Sequence, residues 1–63
     1  MTVHLNAGTF WKEKTTGLPV YVFSIKTGRY RHYHLVSYII SEQIVIDSHW
    51  TIGDWHRHCV ELR

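Results

Sequence analysis

Two histidine pairs are the residues of this chain best spaced for metal chemistry. His32 and His34 form one His-x-His pair, and His56 and His58 form the other. Alternate residues of a strand share a face, so each pair could present two imidazoles to a tetrahedral Zn²⁺ ion. Sites built only from histidines are uncommon, however, and no Cys-x-x-Cys spacing accompanies them. Surface or Trp-packing histidines explain the same residues, so we predict no cofactor and keep zinc as the alternative.

A run of cationic and aromatic residues, RYRHYH at positions 29–34, has the composition of a binding surface. Arg and Tyr are enriched in the hot spots of protein interfaces. They also bind phosphates and stack on the bases of single-stranded nucleic acid, and a half-exposed strand with cross-strand aromatic pairs would contain them too. The predicted protein-binding residues are Arg29, Tyr30, Arg31, Tyr33, Trp50 and Arg57. The alternative nucleic-acid-binding residues are Lys26, Arg29, Arg31 and Tyr33.

The residues that catalysis would need are scattered along the chain. His58 adjoins Cys59 in sequence, but neighbours on a strand do not face each other, so a Cys–His dyad needs a histidine from elsewhere. The five acidic residues are dispersed and no glycine-rich phosphate loop is present. A domain this small also has little room for a closed pocket. We therefore predict no enzyme and a small, buried, apolar role for Cys59.

Length and composition limit the architecture that positions these residues. With 63 residues the chain is one domain, 1–63, and its single cysteine excludes an intrachain disulfide. Such a domain has a stability of only ~3–5 kcal/mol, which makes a homodimer an open expectation. The net charge of +2 would rise to +8 if all six histidines were protonated. We find no signal peptide or membrane span and expect a cytoplasmic protein.

Strand-like segments rich in Val, Ile, Tyr, Phe and Trp alternate with glycine-containing or polar turns. The predicted strands are 9–14, 20–25, 30–40, 44–47 and 59–63. Gly28 is expected to take a positive φ in a tight turn. Thr51 has the position of a helix N-cap, with Asp54 as its capping-box partner. These two residues predict a short helical turn from about Ile52 to His56 or His58.

Adjacent aromatic residues on a strand cannot both point into the core. We expect either Phe10 or Trp11, either Val22 or Phe23, and Trp55 to be buried. The remaining rings would face outward, where an aromatic patch marks an interaction surface. In the third strand the histidines share one face and the arginines share the other. Which of these faces is buried is not decided by the sequence, because a one-residue slip exchanges them.

This order of elements resembles the small SH3-like, or Tudor-like, barrels of many bacterial and phage proteins. The resemblance lies in a Trp-bearing first strand, a Gly-containing hairpin, a long bent third strand and a late helical turn, over roughly residues 8–63. It implies a mainly β fold, a small five-stranded barrel with one helical turn before the last strand. No site residue can be transferred from this resemblance.

We therefore expect a small, non-catalytic regulatory module that binds a protein partner, encoded by a phage or mobile element. The alternatives are a nucleic-acid-binding barrel and a histidine-rich module that responds to metal or pH.

Overall fold

The main element of the computed structural model, which describes residues 5–30 and 32–62, is one antiparallel sheet. Its strands are β1 (Thr9–Glu13), β2 (Pro19–Thr27), β3 (Tyr33–Ile40), β4 (Gln43–Thr51) and β5 (Cys59–Glu61), and one helix, α1 (Ile52–His58), precedes β5. The strand order across the sheet is β4-β3-β2-β1-β5. The predictions of a mainly β fold, five strands and one short late helix are confirmed. The sheet is open, with β4 and β5 at its edges. Within the described residues, no helix is long and apolar enough to cross a membrane.

The boundaries of β3 and β4 differ from those expected. β3 begins at Tyr33 rather than at residue 30, because the Tyr33 N–H donates to the Tyr30 carbonyl at 3.0 Å and closes a turn. β4 continues four residues beyond its predicted end at Asp47, to Thr51. The residues of this extension pair with the first half of β3, with Tyr33 opposite Thr51. Two of the four, Trp50 and Thr51, are of types enriched in strands, so local composition and cross-strand pairing agree.

The β2–β3 turn requires glycine for a reason other than the expected one. The prediction of a positive φ at Gly28 is wrong, because its φ lies outside the left-handed region. The Gly28 N–H donates to the Tyr33 carbonyl at 3.0 Å, and a Cβ on Gly28 would lie 2.7 Å from the carbonyl carbon of Tyr33. Glycine is needed here for close backbone approach.

Two register shifts bend the sheet, one at residues 22–24 of β2 and one where β4 passes residues 36–38 of β3. At the second shift Asp47 has a φ of 48°. Ser37 fixes this conformation, because its Oγ accepts from the Asp47 N–H at 3.0 Å and donates to Asp47 Oδ1 at 3.3 Å. Bulges of this kind increase local twist and curvature.

The core lies between one face of the sheet and α1. It contains Trp11, Val22 and Trp55, while Phe10 and Phe23 are exposed, so one member of each adjacent pair is buried as expected. The other buried residues are Leu5, Val20, Val36, Ser37 and Cys59. On β3 the face that includes Val36, Tyr38 and Ile40 packs inward. The sequence had not decided which face of the third strand is buried.

Helix α1 begins at the predicted N-cap. The Thr51 Oγ1 atom accepts from the Asp54 N–H at 3.0 Å. The Asp54 carboxylate lies 3.4 Å from Arg57 Nη1, one turn further along the helix. The cap ends β4 and directs the chain across the sheet, so that Trp55 is buried against it.

Candidate functional site

An open depression of about 390 Å³ lies at the β2–β3 end of the sheet, lined by Arg29, Tyr30, Tyr33 and His49. The Tyr33 ring is central. Its centroid is 6.2 Å from that of Tyr30, 6.3 Å from that of His49 and 4.8 Å from that of His32. We call these five residues the tip surface. It is a shallow cluster of rings beside a guanidinium group, a shape suited to contact with a macromolecule.

Backbone hydrogen bonds and strand register build the tip surface. The Gly28 and Tyr33 amides close the turn that carries Arg29 and Tyr30. His49 arrives from a different strand, because it pairs with Leu35, two residues beyond Tyr33. Four of the five tip residues thus come from one continuous segment, and His49 comes from a distant part of the chain.

The electrostatics of the tip surface favour an anionic partner. Segments 27–34 and 48–51 contain no Asp or Glu. The nearby Lys26 is less available, because its Nζ lies 3.7 Å from Asp47 Oδ1 in an exposed ion pair. Tyr30, whose residue surface is 60% exposed, and Arg29 both face solvent. An approaching group would therefore meet a ring and a cation before any acid.

The structure brings together half of the six predicted protein-binding residues. Arg29, Tyr30 and Tyr33 line the depression, and Arg31 lies outside the described residues. Trp50 is half-buried, with its ring centroid 5.3 Å from that of Trp55, and contributes to the core. Arg57 is exposed on α1 beside Asp54 and does not line the depression. Of the alternative nucleic-acid-binding residues, Lys26, Arg29 and Tyr33 are described, and Lys26 is the one paired with Asp47.

Several histidine rings make tilted or edge-to-face contacts with aromatic side chains. His58 lies 5.4 Å from Trp50 and His56 lies 5.5 Å from Trp11, measured between ring centroids. His34 is placed opposite Trp50 by the strand register, and His32 packs on Tyr33. Among residues 5–30 and 32–62, no three His, Cys, Asp or Glu side chains come together as metal ligands.

The single thiol is buried at the start of β5. Burial raises the pKa of Cys59 to about 11, and the nearby Glu13 carboxylate adds to the rise. The thiol is therefore protonated at neutral pH, whereas nucleophilic cysteines require the thiolate. Burial also raises the pKa of the Tyr38 hydroxyl. Cys59 occupies the apolar position that the sequence predicts.

A second surface lies on the outer face of the sheet away from α1; the sequence predicts outward-facing aromatic residues but not their alignment into one surface. Strands β1 to β4 each contribute one exposed or half-exposed apolar residue, and these residues pair in register from strand to strand. Leu62, just after β5, continues the line, because its N–H donates to the Phe10 carbonyl at 2.9 Å. The resulting outer row is Leu62, Phe10, Tyr21, Ile39 and Ile44. An apolar depression of about 380 Å³ lies along it. Strand alternation alone would turn Phe10 and Tyr21 outward, but their alignment depends on register.

Comparison with protein-family models, curated protein sequences and solved structures finds no match for this chain. Function is therefore inferred from the chemistry and geometry of the described side chains. The tip surface combines the features most informative about a ligand: exposed rings, an exposed guanidinium group and the absence of acids in its own segments.

Proposed function

We propose that this chain is a non-catalytic binding module that docks on a protein partner through the tip surface. The observation that carries the proposal is the convergence of Arg29, Tyr30, Tyr33 and His49 on one open depression. Tyr and Arg provide large contact area together with directional polar groups, which is why they dominate interface hot spots. A docking role requires an accessible surface of this kind and does not require an enclosed cavity.

The state of the candidate catalytic groups supports a non-catalytic role. The Cys59 thiol is buried, with its pKa raised to about 11. The acids Asp47 and Asp54 lie beside Lys26 and Arg57 in exposed ion pairs. These groups have structural partners, and none of them lines the tip depression.

We also infer that the open sheet belongs to the SH3-like arrangement. Two features support the inference. The strand order is β4-β3-β2-β1-β5, and the helix stands directly before the strand that returns to β1. The bulges at residues 22–24 and at Asp47 supply the bending that brings such a sheet towards closure.

The chemistry of the tip surface indicates which side chains a partner would need. A complementary protein segment would place a carboxylate near Arg29 and an apolar or aromatic side chain against Tyr30 and Tyr33. Because rim charges contribute mainly to the association rate and ring burial contributes mainly to affinity, moderate salt should slow association without abolishing binding.

Site-specific photo-cross-linking tests this proposal. A benzoylphenylalanine placed at Tyr30 should cross-link a partner protein in cell extract, whereas one at Phe10 should capture no protein other than a second copy of this chain. Phe10 is the matched control, since Phe10 is 56% and Tyr30 60% exposed. With the partner purified, Tyr30→Ala and Arg29→Ala should each weaken binding roughly tenfold or more. Capture of the same partner protein from both positions, no specific cross-link at Tyr30, or unchanged affinity of the variants would refute the proposal.

A second candidate, binding to single-stranded nucleic acid, is favoured by the exposed ring of Tyr30 beside Arg29 in an acid-free segment. Rings of this kind stack on bases, while guanidinium groups neutralise phosphates. The pairing of Lys26 with Asp47 lowers the number of available cations. We therefore expect any such binding to be weak and to involve few phosphates.

Fluorescence anisotropy with 20-nucleotide single-stranded DNA and RNA, titrated with salt, tests the second candidate. Each phosphate neutralised on a single strand contributes about −0.7 to the log–log salt slope. If this candidate is right, Arg29→Ala should make the slope shallower by about that amount. Binding with no salt dependence, or none at low salt, would remove this candidate and leave the protein partner.

A further inference from the structure

The outer row leaves an unusual amount of apolar surface uncovered. Phe10 is 56% exposed, Ile44 64% and Leu62 44%, and α1 covers only the opposite face of the sheet. The row crosses all the strands of the sheet, because cross-strand neighbours follow one another from Leu62 to Ile44. Contiguous apolar patches on small soluble domains mark interaction sites.

The order of side chains within the row is self-complementary. Tyr21 stands at the centre, with Phe10 and Ile39 as its two neighbours and Leu62 and Ile44 at the ends. A two-fold axis parallel to the strands at Tyr21 would place Phe10 of one copy on Ile39 of the other. The same axis would place Leu62 on Ile44. The Phe10–Ile39 and Leu62–Ile44 contacts would then each occur twice and Tyr21 would meet its own counterpart, as an isologous interface requires.

The charges beside the row have the same symmetry. Lys12 pairs with Pro19 in the adjacent row, and Glu42 lies beyond Pro19 in the β3–β4 turn, where it lines the outer depression. Both charged residues are exposed. The axis that aligns the apolar residues brings Lys12 of one copy towards Glu42 of the second copy, and the reverse. Two equivalent ion pairs would therefore flank the apolar contacts.

The area that a homodimer would need is a modest share of this chain's surface. A stable interface of standard size buries about 800 Å² on each partner. The whole chain exposes 4602 Å², so about one sixth of its surface would have to be covered. The two longer dimensions of the molecule are 29 and 28 Å. Sheets that pack face to face in aligned fashion do so through such alternating outward residues.

We propose that the outer row is the interface of a symmetric homodimer of this chain, with Tyr21 on the two-fold axis. The residues of the outer row are distinct from those of the tip surface, so different variants test the dimer and the proposed partner binding. It also supplements the small core of a 63-residue domain by burying apolar surface between copies.

Charge reversal at the interface gives the sharpest test, with sedimentation equilibrium as the readout. The wild-type chain should show a monomer–dimer equilibrium. Lys12→Glu and Glu42→Lys should each weaken association roughly tenfold, because each creates two like-charge contacts. The double variant Lys12→Glu/Glu42→Lys should restore it. A chain that stays monomeric at several hundred micromolar, or a double variant as weak as the singles, would overturn the proposal.

Mixing two variants tests the apolar contacts independently. Ile44→Glu and Leu62→Lys should each disrupt the homodimer, whereas a mixture of the two chains should form a heterodimer through a Glu–Lys contact. Tyr30→Ala is the control and should dimerise normally. Dimers that resist the outer-row variants would indicate another interface, such as pairing of the β4 edges, and would contradict the inference. Circular dichroism of each variant separates lost association from unfolding.

Discussion

The tip surface and the aromatic core use the same residue types in opposite ways. We define the aromatic core as Trp11, Tyr38, Trp50 and Trp55. In the core, the Trp55 ring makes edge-to-face contacts with the other three rings at centroid distances of 5.8, 5.4 and 5.3 Å. At the tip, the rings of Tyr30 and Tyr33 are 6.2 Å apart and surround an open depression.

The difference comes from what covers each cluster. Helix α1 places Trp55 on the sheet, where it is 1% exposed, and no described element covers Tyr30. Edge-to-face ring pairs contribute about 0.5–1.5 kcal/mol each beyond their buried area. The rings packed between the helix and the sheet therefore stabilise the fold. The rings at the tip stay exposed, so their burial can stabilise a complex with a partner.

The largest expected effect comes from a substitution that disrupts the aromatic core and leaves the tip surface intact. Trp55→Ala should cost about 3–5 kcal/mol, since it removes a fully buried ring and three ring contacts. That loss is as large as the ~3–5 kcal/mol total expected of a domain of this size. The variant should be largely unfolded at 25 °C by circular dichroism, whereas Tyr30→Ala should stay within about 0.5 kcal/mol of wild type. A cooperative Trp55→Ala melt near the wild-type midpoint would contradict this assignment of roles.

The next effect is a loss of stability at alkaline pH that originates in the core. Because the folded-state pKa of Cys59 is raised from 9.0 to about 11, its contribution is complete below pH 9 and is lost as pH rises towards 11. A shift of this size corresponds to about 3 kcal/mol at most. Urea unfolding at pH 7, 9 and 11 measures the loss.

Cys59→Val provides the control for that titration. It should remove the part of the loss that falls between pH 9 and 11. A smaller decline at higher pH should remain, because burial also raises the pKa of Tyr38 above its ordinary 10.0. An unchanged alkaline loss in the variant would assign the effect to other groups.

The features that the sequence predicts correctly are local ones. The Thr51 cap depends on residues three positions apart, and strand alternation requires that one of Phe10 and Trp11 be buried and the other exposed, although only the structure shows that it is Trp11 that is buried. Arg29, Tyr30 and Tyr33 could be proposed together because they belong to one segment. A short-range pattern is enough wherever the interacting residues are close in sequence.

The features that it misses depend on register or on tertiary contact. His49 joins the tip because β4 extends along β3 and pairs with it there. Trp50, predicted at the binding surface, instead packs on Trp55 after the chain turns into α1. The pairing of Tyr21 with Ile39 in the outer row depends on the bulge at residues 22–24, which shifts the β2–β3 register by one residue, and no periodicity within one strand reveals such a shift.

A pair of glycine substitutions sharpens the comparison between tip and helix. Gly28→Ala should cost about 1–3 kcal/mol, because the new Cβ would press on the Tyr33 carbonyl that closes the tip turn. Gly53→Ala should instead gain up to about 1 kcal/mol, since nothing lies within 4 Å of its Cβ position on α1. Thermal midpoints should move in opposite directions. Equal shifts would show that the turn has room to adjust.

The smallest effect tests whether tip and core are energetically separate at their point of contact. Thr51 caps α1 and also pairs with Tyr33, so it touches both regions. Thr51→Ala removes one hydrogen bond to the first turn of the helix and should cost about 1 kcal/mol, while Thr51→Ser should restore most of it.

If the regions are separate, the near-ultraviolet signal of the tryptophans in the Thr51→Ala variant should melt earlier than in wild type. Cross-linking from position 30 should meanwhile stay at the wild-type level in the folded protein. A parallel loss of cross-linking at temperatures where the fold persists would instead couple the two regions. Tyr33 would then depend on the helix cap for its orientation, because the β3–β4 pair that begins at Tyr33 and Thr51 is the one element shared by the tip and the core.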